Sequence, residues 1–324
     1  MDGMAKSTSS TKIPVNGFIN LYKPSGITSM DALRHVKRIT GQRKKVGHGG
    51  TMDPLARGIL PVCFGQATRL MDYVIAGAKR YVMEIKLGVT TTTYDCEGEV
   101  VKTGDTSGLT RESIEDALQS FMGLIEQAPP MYSAIKVQGQ RLYKLARAGI
   151  EVERKARSVE IHNIRIVRCE PPELVLDVES GRGAYMRSLA HDLGEALGCG
   201  GHVADLERLS CGAFHADTSL TLEDLEEAGP QGGGWQNHLL PVDWILRDLK
   251  SISVGPQAEQ FIRHGQSVSL SNPIVEAGYM EQFRAYSTDG RFLAVVRFDR
   301  ADNAWRPIKV FNIDTPSPYA TAAD

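Results

Sequence analysis

The sequence predicts a soluble protein of the α/β or α+β class with a small all-β unit near its C-terminal end. Three observations carry that prediction. Segments with apolar residues at helical spacing are interspersed with segments in which apolar and polar residues alternate, so one chain holds both kinds of element. Beyond about residue 250 the pattern changes to short alternating runs at regular intervals. The 324 residues are 42% hydrophobic and 23% charged, a globular composition suited to one large domain plus a small one, or to two medium ones.

Composition also narrows the function classes. No apolar run approaches the length of a bilayer span, and no signal peptide is evident. Five scattered cysteines (Cys63, Cys96, Cys169, Cys199, Cys211) fit the reduced thiols of a cytoplasmic protein better than a disulfide framework. The net charge of −2 hides an asymmetry. Residues 1–160 hold 23 Lys+Arg against 16 Asp+Glu, and the remainder 14 against 23. The N-terminal half is therefore the one suited to a polyanion.

In chain order, residues 1–16 are polar and rich in Ser and Thr, which predicts a disordered tail before a domain spanning 17–245. Phe18 to Tyr22 reads as a strand, and Lys23-Pro24-Ser25-Gly26 turns out of it. Thr28 with Asp31 forms a capping-box pattern, and Met30, Leu33 and Val36 recur at helical spacing, so Ser29 to Ile39 is a helix. It leads into Gly41-Gln42-Arg43-Lys44-Lys45, a basic turn suited to phosphate contact.

Gly47 to Gly58, GHGGTMDPLARG, is the densest stretch in the chain. Clustered glycines mark tight turns or close approach to another molecule. Pro54 biases Asp53 away from helical geometry. A carboxylate so constrained, with His48 nearby, reads as a site.

After it, Pro61 excludes a helix interior from ILPVCFG, leaving a strand at or near an edge. Gln66 to Ala76 reads as a helix with Leu70, Met71, Val74 and Ile75 inside. From Lys79 a strand turns Tyr81, Met83, Ile85 and Leu87 to one side. Gly88 to Gly98 is a threonine-rich loop, and Leu109 to Met122 a helix packing through Ile114, Ala117, Leu118 and Phe121. Residues 127–157 interleave Tyr132 and Tyr143 with Lys136, Arg141, Lys144, Arg147, Arg154, Lys155 and Arg157. Rings that stack, set among cations, suit a groove for folded RNA.

Val159–Arg168 and Leu174–Glu179 alternate as a hairpin, and a helix from Tyr185 to Leu197 ends at Gly198. Arg182 and Arg187 both lie near its start, and spacing alone does not choose between them as the partner of a carboxylate. Cys199-x2-His202 followed by Cys211-x3-His215 imitates zinc-ligand spacing, but the interval between the pairs is unusual for a finger. GHGG lacks the strand–GxGxxG–helix context of a dinucleotide site. No metal and no cofactor are expected. After the glycine-rich Gln231–Gly234, runs at Ser251–Val254, Ser267–Leu270, Phe283–Tyr286, Phe292–Phe298 and Ile308–Phe311 predict a small β barrel over 250–312, with 313–324 a loose tail.

The run from Val46 to Arg69, VGHGGTMDPLARGILPVCFGQATR, resembles the signature of the TruB family of tRNA pseudouridine synthases. The segments KPSGITS, KRY, PMYSA with the following GQ, LY and AR, AYMRS, and GCGGH with ERL follow in that family's order over most of residues 17–245. The resemblance implies an α+β pseudouridine synthase fold, a mixed and largely antiparallel sheet with flanking helices, followed by a PUA-like β domain.

It also implies roles. Asp53 is the catalytic residue, Arg187 pairs with it, Tyr81 packs against the target base, Tyr185 supplies a second ring, and Leu209 lines the uracil pocket. His48 helps fill the place the base vacates. Residues 127–157 form an arm over the RNA, and Lys23, Arg43, Lys44, Lys45, Lys136, Arg141, Lys144 and Arg147 contact it. Asp95 matches a second acidic position, while Thr92 stands where many members carry aspartate. The implied activity is isomerisation of uridine 55 in the T loop of tRNA. A cytoplasmic monomer acts on the T-arm stem-loop, with no cofactor, membrane or protein partner. Two alternatives are a guide-RNA-dependent synthase, which typically carries lysine-rich tails that this chain lacks, and a non-catalytic tRNA-binding or folding module. A glycosidase would call for two paired carboxylates, and the loop offers one.

Overall fold

The structure is a computed structural model that describes residues 15–320 apart from 134, 138, 151, 230–233, 271–276 and 279. The expected N-terminal tail thus lies outside the described residues except for Val15 and Asn16, as does most of the glycine-rich 231–234 run.

In chain order the elements are β1 (Gly17–Lys23), α1 (Ser29–Thr40), β2 (Val46–His48), β3 (Arg57–Phe64), α2 (Met71–Ala76), β4 (Lys79–Leu87), β5 (Val89–Thr91), β6 (Val100–Thr103), α3 (Arg111–Gln119) and β7 (Gly123–Gln127). Then come β8 (Lys136–Val137), β9 (Gln140–Arg141), α4 (Leu142–Arg147), β10 (Arg157–Glu170), β11 (Glu173–Ser180), α5 (Met186–Ala196), β12 (Gly201–Cys211), β13 (Phe214–His215) and α6 (Leu222–Ala228). The C-terminal part holds β14 (Ser251–Val254), α7 (Pro256–Arg263), β15 (Gln282–Ser287), β16 (Phe292–Asp299) and β17 (Ala304–Val310).

The main sheet runs β1-β3-β12-β4-β11-β10-β7, with β2 added on β3 and β13 on β12. All its pairings are antiparallel except β12 on β3, which join in parallel at Glu207↔Arg57 and Arg208↔Gly58. The fold is α+β, mixed and largely antiparallel.

Local chemistry explains most boundaries. Thr28 and Asp31 close a reciprocal capping box at the start of α1, and Gly41 ends the helix in the left-handed conformation. Met30, expected inside, is exposed, and Ser29, Ala32, Leu33 and Val36 form the buried face. The 66–76 segment divides into a 3-10 turn and α2, with Leu70 and Val74 buried. Thr110 caps α3, and Gly198 follows α5 at φ 75°.

Several elements had no counterpart in the sequence reading, among them β6, β7, α6, α7 and β12. The last is the most instructive. Register shifts between Val203 and Asp205 and between Arg208 and Ser210 break its alternation. A strand bulged twice has no steady period of two.

One apolar cluster lies between the sheet and its helices, centred on Leu60, Met83, Ile85, Leu176 and Leu189. A second joins Phe18, Ile59, Phe214 and Trp244 to Tyr286, Phe292 and Phe311, so the C-terminal sheet packs directly on the strands that frame the glycine-rich loop. That sheet is four-stranded, β14-β15-β16-β17.

Two sequence expectations for this part are corrected. Ser267–Leu270 contributes only an isolated bridge between Val268 and Trp305, so among the described residues the unit is an open sheet braced by α7, not a barrel. The final segment is packed up to residue 320. Ile313, Tyr319 and Ala320 lie on the second cluster, and Ser317 Oγ donates to Asp243 at 2.5 Å.

Candidate active site

The loop carrying Asp53 is held by the KPSGITS block. Ser29 Oγ accepts from Met52 N at 2.8 Å and donates to Met52 O at 3.1 Å. Gly26 N donates to Pro54 O at 2.8 Å, and Ser25 Oγ to Leu55 O at 2.6 Å. Lys23 completes the clamp. It is fully buried, and its ammonium donates to Pro24 O at 2.7 Å and Ile27 O at 2.8 Å. Lys23 is thus a brace for the loop and not a surface contact for phosphate, because no part of it reaches the outside. Burial, and then the charge of Arg208, lower its pKa to about 8, against the attraction of Asp53 and Glu97.

Glycine is required where the loop meets the sheet. Gly58 has φ +107°, and a Cβ there would stand 2.2 Å from Arg208 O. At Gly49 a Cβ would stand 2.3 Å from a methyl of Val74. The first contact lets β3 and β12 come together, and the second lets the loop lie against α2.

Arg187, near the start of α5, meets Asp53 with two parallel bonds, Nε to Oδ2 at 2.9 Å and Nη2 to Oδ1 at 2.7 Å. Nη2 also donates to Tyr132 O at 2.8 Å, and Nη1 to Thr93 O at 3.0 Å. Asp95 Oδ2 lies 3.3 Å from Nη1. The guanidinium is therefore saturated and buried, with 3% of its side chain exposed, whereas Asp53 keeps 30% and faces out. Such a fork-to-carboxylate pair fixes orientation as well as charge. Enclosure raises the Asp53 carboxyl above its usual range. Arg187 opposes that by charge and hydrogen bonds, Asp95 adds to the rise, and Lys23 opposes it. Arg182, the competing arginine, is exposed.

Asp95 and Arg208 are missing from the set of site residues drawn from the sequence. Asp95 is buried, accepts from Glu97 N at 3.1 Å and from Thr93 Oγ1, and backs the guanidinium from the side away from Asp53. Its loop is fixed by Tyr94, at φ 63°, whose ring stacks on His191 at 3.8 Å. Thr92 is exposed; its hydroxyl accepts from Glu99 N at 3.1 Å and its backbone N donates to Glu99 O at 2.9 Å. Arg208 is buried in β12 and ties the loop to β3, donating to Ile59 O at 2.7 Å and Gly50 O at 3.1 Å.

The aromatic candidates converge on the same place. Burial raises the Tyr81 hydroxyl, with Arg208 acting against the rise and Asp53 adding to it. The Tyr185 hydroxyl is raised by burial and by the Asp53 charge, with Ser133 and Arg187 acting the other way. His48 is held below its ordinary pKa by burial and by Arg208, so its ring is neutral at pH 7; its Nδ1 is buried with no hydrogen-bond partner among the described residues. Leu209, next to Arg208 on β12, is half-buried.

Of the basic residues, Arg43, Lys44, Lys45 and Lys144 are exposed. The side chains of Lys136, Arg141 and Arg147 lie outside the described part of the arm. A cleft of about 300 Å³ at the end of α1 is lined by Arg34, Lys37, Arg38, Gly41 and Arg43. Three of the four zinc-like residues are otherwise engaged: His202 Nδ1 lies 2.8 Å from Val89 O, and Cys199 and Cys211 Sγ contact backbone carbonyls, while His215 is exposed.

A carboxylate gripped by a buried arginine, with two tyrosines beside it and the site mounted on a mixed, largely antiparallel sheet, fits the pseudouridine synthase class. Residues 37–186 match the TruB family pseudouridylate synthase N-terminal domain, and residues 187–247 the tRNA pseudouridylate synthase B C-terminal domain. The tRNA pseudouridine synthase B of Dehalococcoides mccartyi strain 195 is 42% identical over 94% of this chain and 100% of its own length. That of Nitrosococcus oceani is 47% identical over 79% of this chain and 83% of its own. Among solved structures, a chain of a Cbf5–Nop10–Gar1 complex superposes with a TM-score of 0.69 at 25% identity, covering 93% of this chain and 85% of that one. The chain belongs to the TruB family of pseudouridylate synthases.

Proposed function

We propose that this protein isomerises uridine 55 in the T loop of tRNA to pseudouridine, with Asp53 as the catalytic residue. The observation that carries the reading is the outward-facing Asp53 carboxylate locked in a two-bond pair with buried Arg187. Relatives named tRNA pseudouridine synthase B, matched over nearly the whole chain, support tRNA as the substrate. The reaction breaks the bond from ribose C1′ to N1, turns the uracil and forms a bond from C1′ to C5. N1 gains a proton and C5 loses one, so the isomerisation balances with no oxidant, reductant or energy source.

Asp53 acts either as nucleophile at C1′ or as the base that removes the C2′ proton. Both roles need it ionised, which Arg187 favours. The uridine reaches it only when flipped out of the folded loop, which costs a few kcal/mol of unstacking. Tyr81 and Tyr185 hold the base, Leu209 closes the pocket, and His48 fills the vacated place in the stack. Its neutral ring suits that role.

Arg43, Lys44, Lys45 and the arm residues Lys136, Arg141, Lys144 and Arg147 grip the RNA backbone, joined by the basic cleft at the end of α1. The C-terminal sheet acts as a PUA-like unit adding RNA contact. The enzyme works in the cytoplasm as a monomer without a protein partner.

The test uses an unmodified tRNA transcript with no added cofactor, followed by carbodiimide labelling and primer extension. A single new stop at position 55 is expected. Tight binding without any stop would point to a guide-dependent enzyme or a binding module, and a stop elsewhere would refute the assigned target.

A further inference from the structure

The arm and the catalytic pair share a set of hydrogen bonds centred on Gln127, the last residue of β7. Gln127 is buried, with 2% exposure. Its side-chain amide closes a ring on the backbone of Tyr185: Nε2 donates to Tyr185 O at 3.0 Å, and Oε1 accepts from Tyr185 N at 2.7 Å. Tyr185 is the N-cap of α5 and offers no side-chain cap of its own, so the start of this helix is fixed from the neighbouring strand.

Two more bonds join the same places. Ser188 Oγ donates to Ala128 O at 2.7 Å, and Arg187 Nη2, which holds Asp53 Oδ1, also donates to Tyr132 O. Gln127 sits opposite Arg157 in the β7–β10 register, where the chain leaves for the arm and returns from it. Residues 127, 128 and 132 at the root of the arm thus hold residues 185, 188 and 187 at the site.

We infer that Gln127 is a positioning residue that ties the root of the arm to Arg187, so that the arm's seating on RNA and the orientation of Asp53 are set together. This rests on the functional reading above. A buried amide paired with both backbone polar groups of one residue acts as a rigid splice, and a misplacement of about 1 Å at reacting groups costs on the order of 100-fold in rate.

Gln127→Met keeps the length of the side chain and removes both bonds. Expected are a fall of at least about tenfold in kcat on an unmodified tRNA transcript, with Kd for that transcript within about threefold. In RNA-free protein, amide exchange over residues 185–188 should quicken by at least about tenfold. Gln127→Glu adds a readout that simple loss of packing would not move. Ionised, it lacks the donor; protonated, it regains the donor–acceptor pair, so its kcat relative to the native protein should rise as pH falls.

A folded Gln127→Met protein with native kcat and native exchange overturns the inference. So does one whose only defect is weaker transcript binding. If Gln127→Met fails to fold, Ser188→Ala carries the test, with a several-fold loss of kcat expected and a native kcat contradicting it. Exchange does not depend on turnover. Quickened exchange in a protein whose native form makes no pseudouridine would support the splice and overturn the functional reading instead.

Discussion

Asp53 stands between opposed influences, enclosure raising its pKa and Arg187 lowering it. Arg187→Lys replaces a planar fork by a point charge, which cannot make two parallel bonds. We expect kcat to fall about 100-fold. Because the opposing influence is weakened, the acid limb of the kcat–pH profile should move to higher pH; a limb that stays in place would show that Asp53 is not the group titrating.

Lys23 gives a second pH signature, of stability. Its pKa falls from 10.5 to about 8 on folding, so between those values the unfolded chain binds more protons and stability rises with pH. The slope is at most about 1.4 kcal/mol per pH unit and vanishes below pH 8, where both states are protonated, and above pH 10.5, where both are neutral. Denaturant titrations from pH 8 to 10.5 should show this rise in the native protein and less of it in Lys23→Met. At this scale the sequence was legible wherever a motif held the residue, as for Asp53, and illegible for burial. Lys23 looks like any basic residue before a turn, and only the fold reveals that it is enclosed by the loop it braces.

At the scale of elements, the proposed function gives the RNA grip to the arm and α1. Replacing Arg141, Lys144 and Arg147 by alanine should weaken binding and flatten its salt dependence, by up to about three released counterions if each meets a phosphate. An unchanged salt slope would place the arm away from the RNA. Arg34→Glu with Lys37→Glu should raise KM through the same electrostatics and leave kcat within about twofold at saturating RNA; a native KM would separate the cleft from the RNA. Regular elements were legible where period and caps agreed, as in α1 and α3. Both bulges of β12 destroyed its period, so the strand that supplies Arg208 to the floor of the site was missed. The short α6 and α7 offered too few turns for a helical period to stand out.

The whole molecule is joined where the C-terminal sheet meets the strands behind the loop. Tyr286 OH donates to Asp243 at 2.6 Å and accepts from Arg284 at 3.1 Å, within the apolar cluster shared by both parts. Tyr286→Phe leaves Asp243 with one donor fewer and should lower stability by about 1–3 kcal/mol in chemical denaturation, while T-arm turnover at 25 °C persists. An undiminished stability would show that this contact does not fasten the sheet. The presence of a small β unit was legible from its spaced runs. Its open form was not, because closure is decided by long-range pairing that a short run does not encode.

The most direct test of the central claim uses tRNA labelled with tritium at uracil C5. Forming the C1′–C5 bond must release that label to water, and the proposed chemistry sends it there through the site at Asp53. The native protein should release the tritium of one uridine per tRNA. Asp53→Asn should release none while binding the same tRNA within about tenfold of the native affinity. Release by Asp53→Asn at the native rate would contradict the assignment of Asp53 and, with it, the account of how Arg187 and the arm serve the reaction.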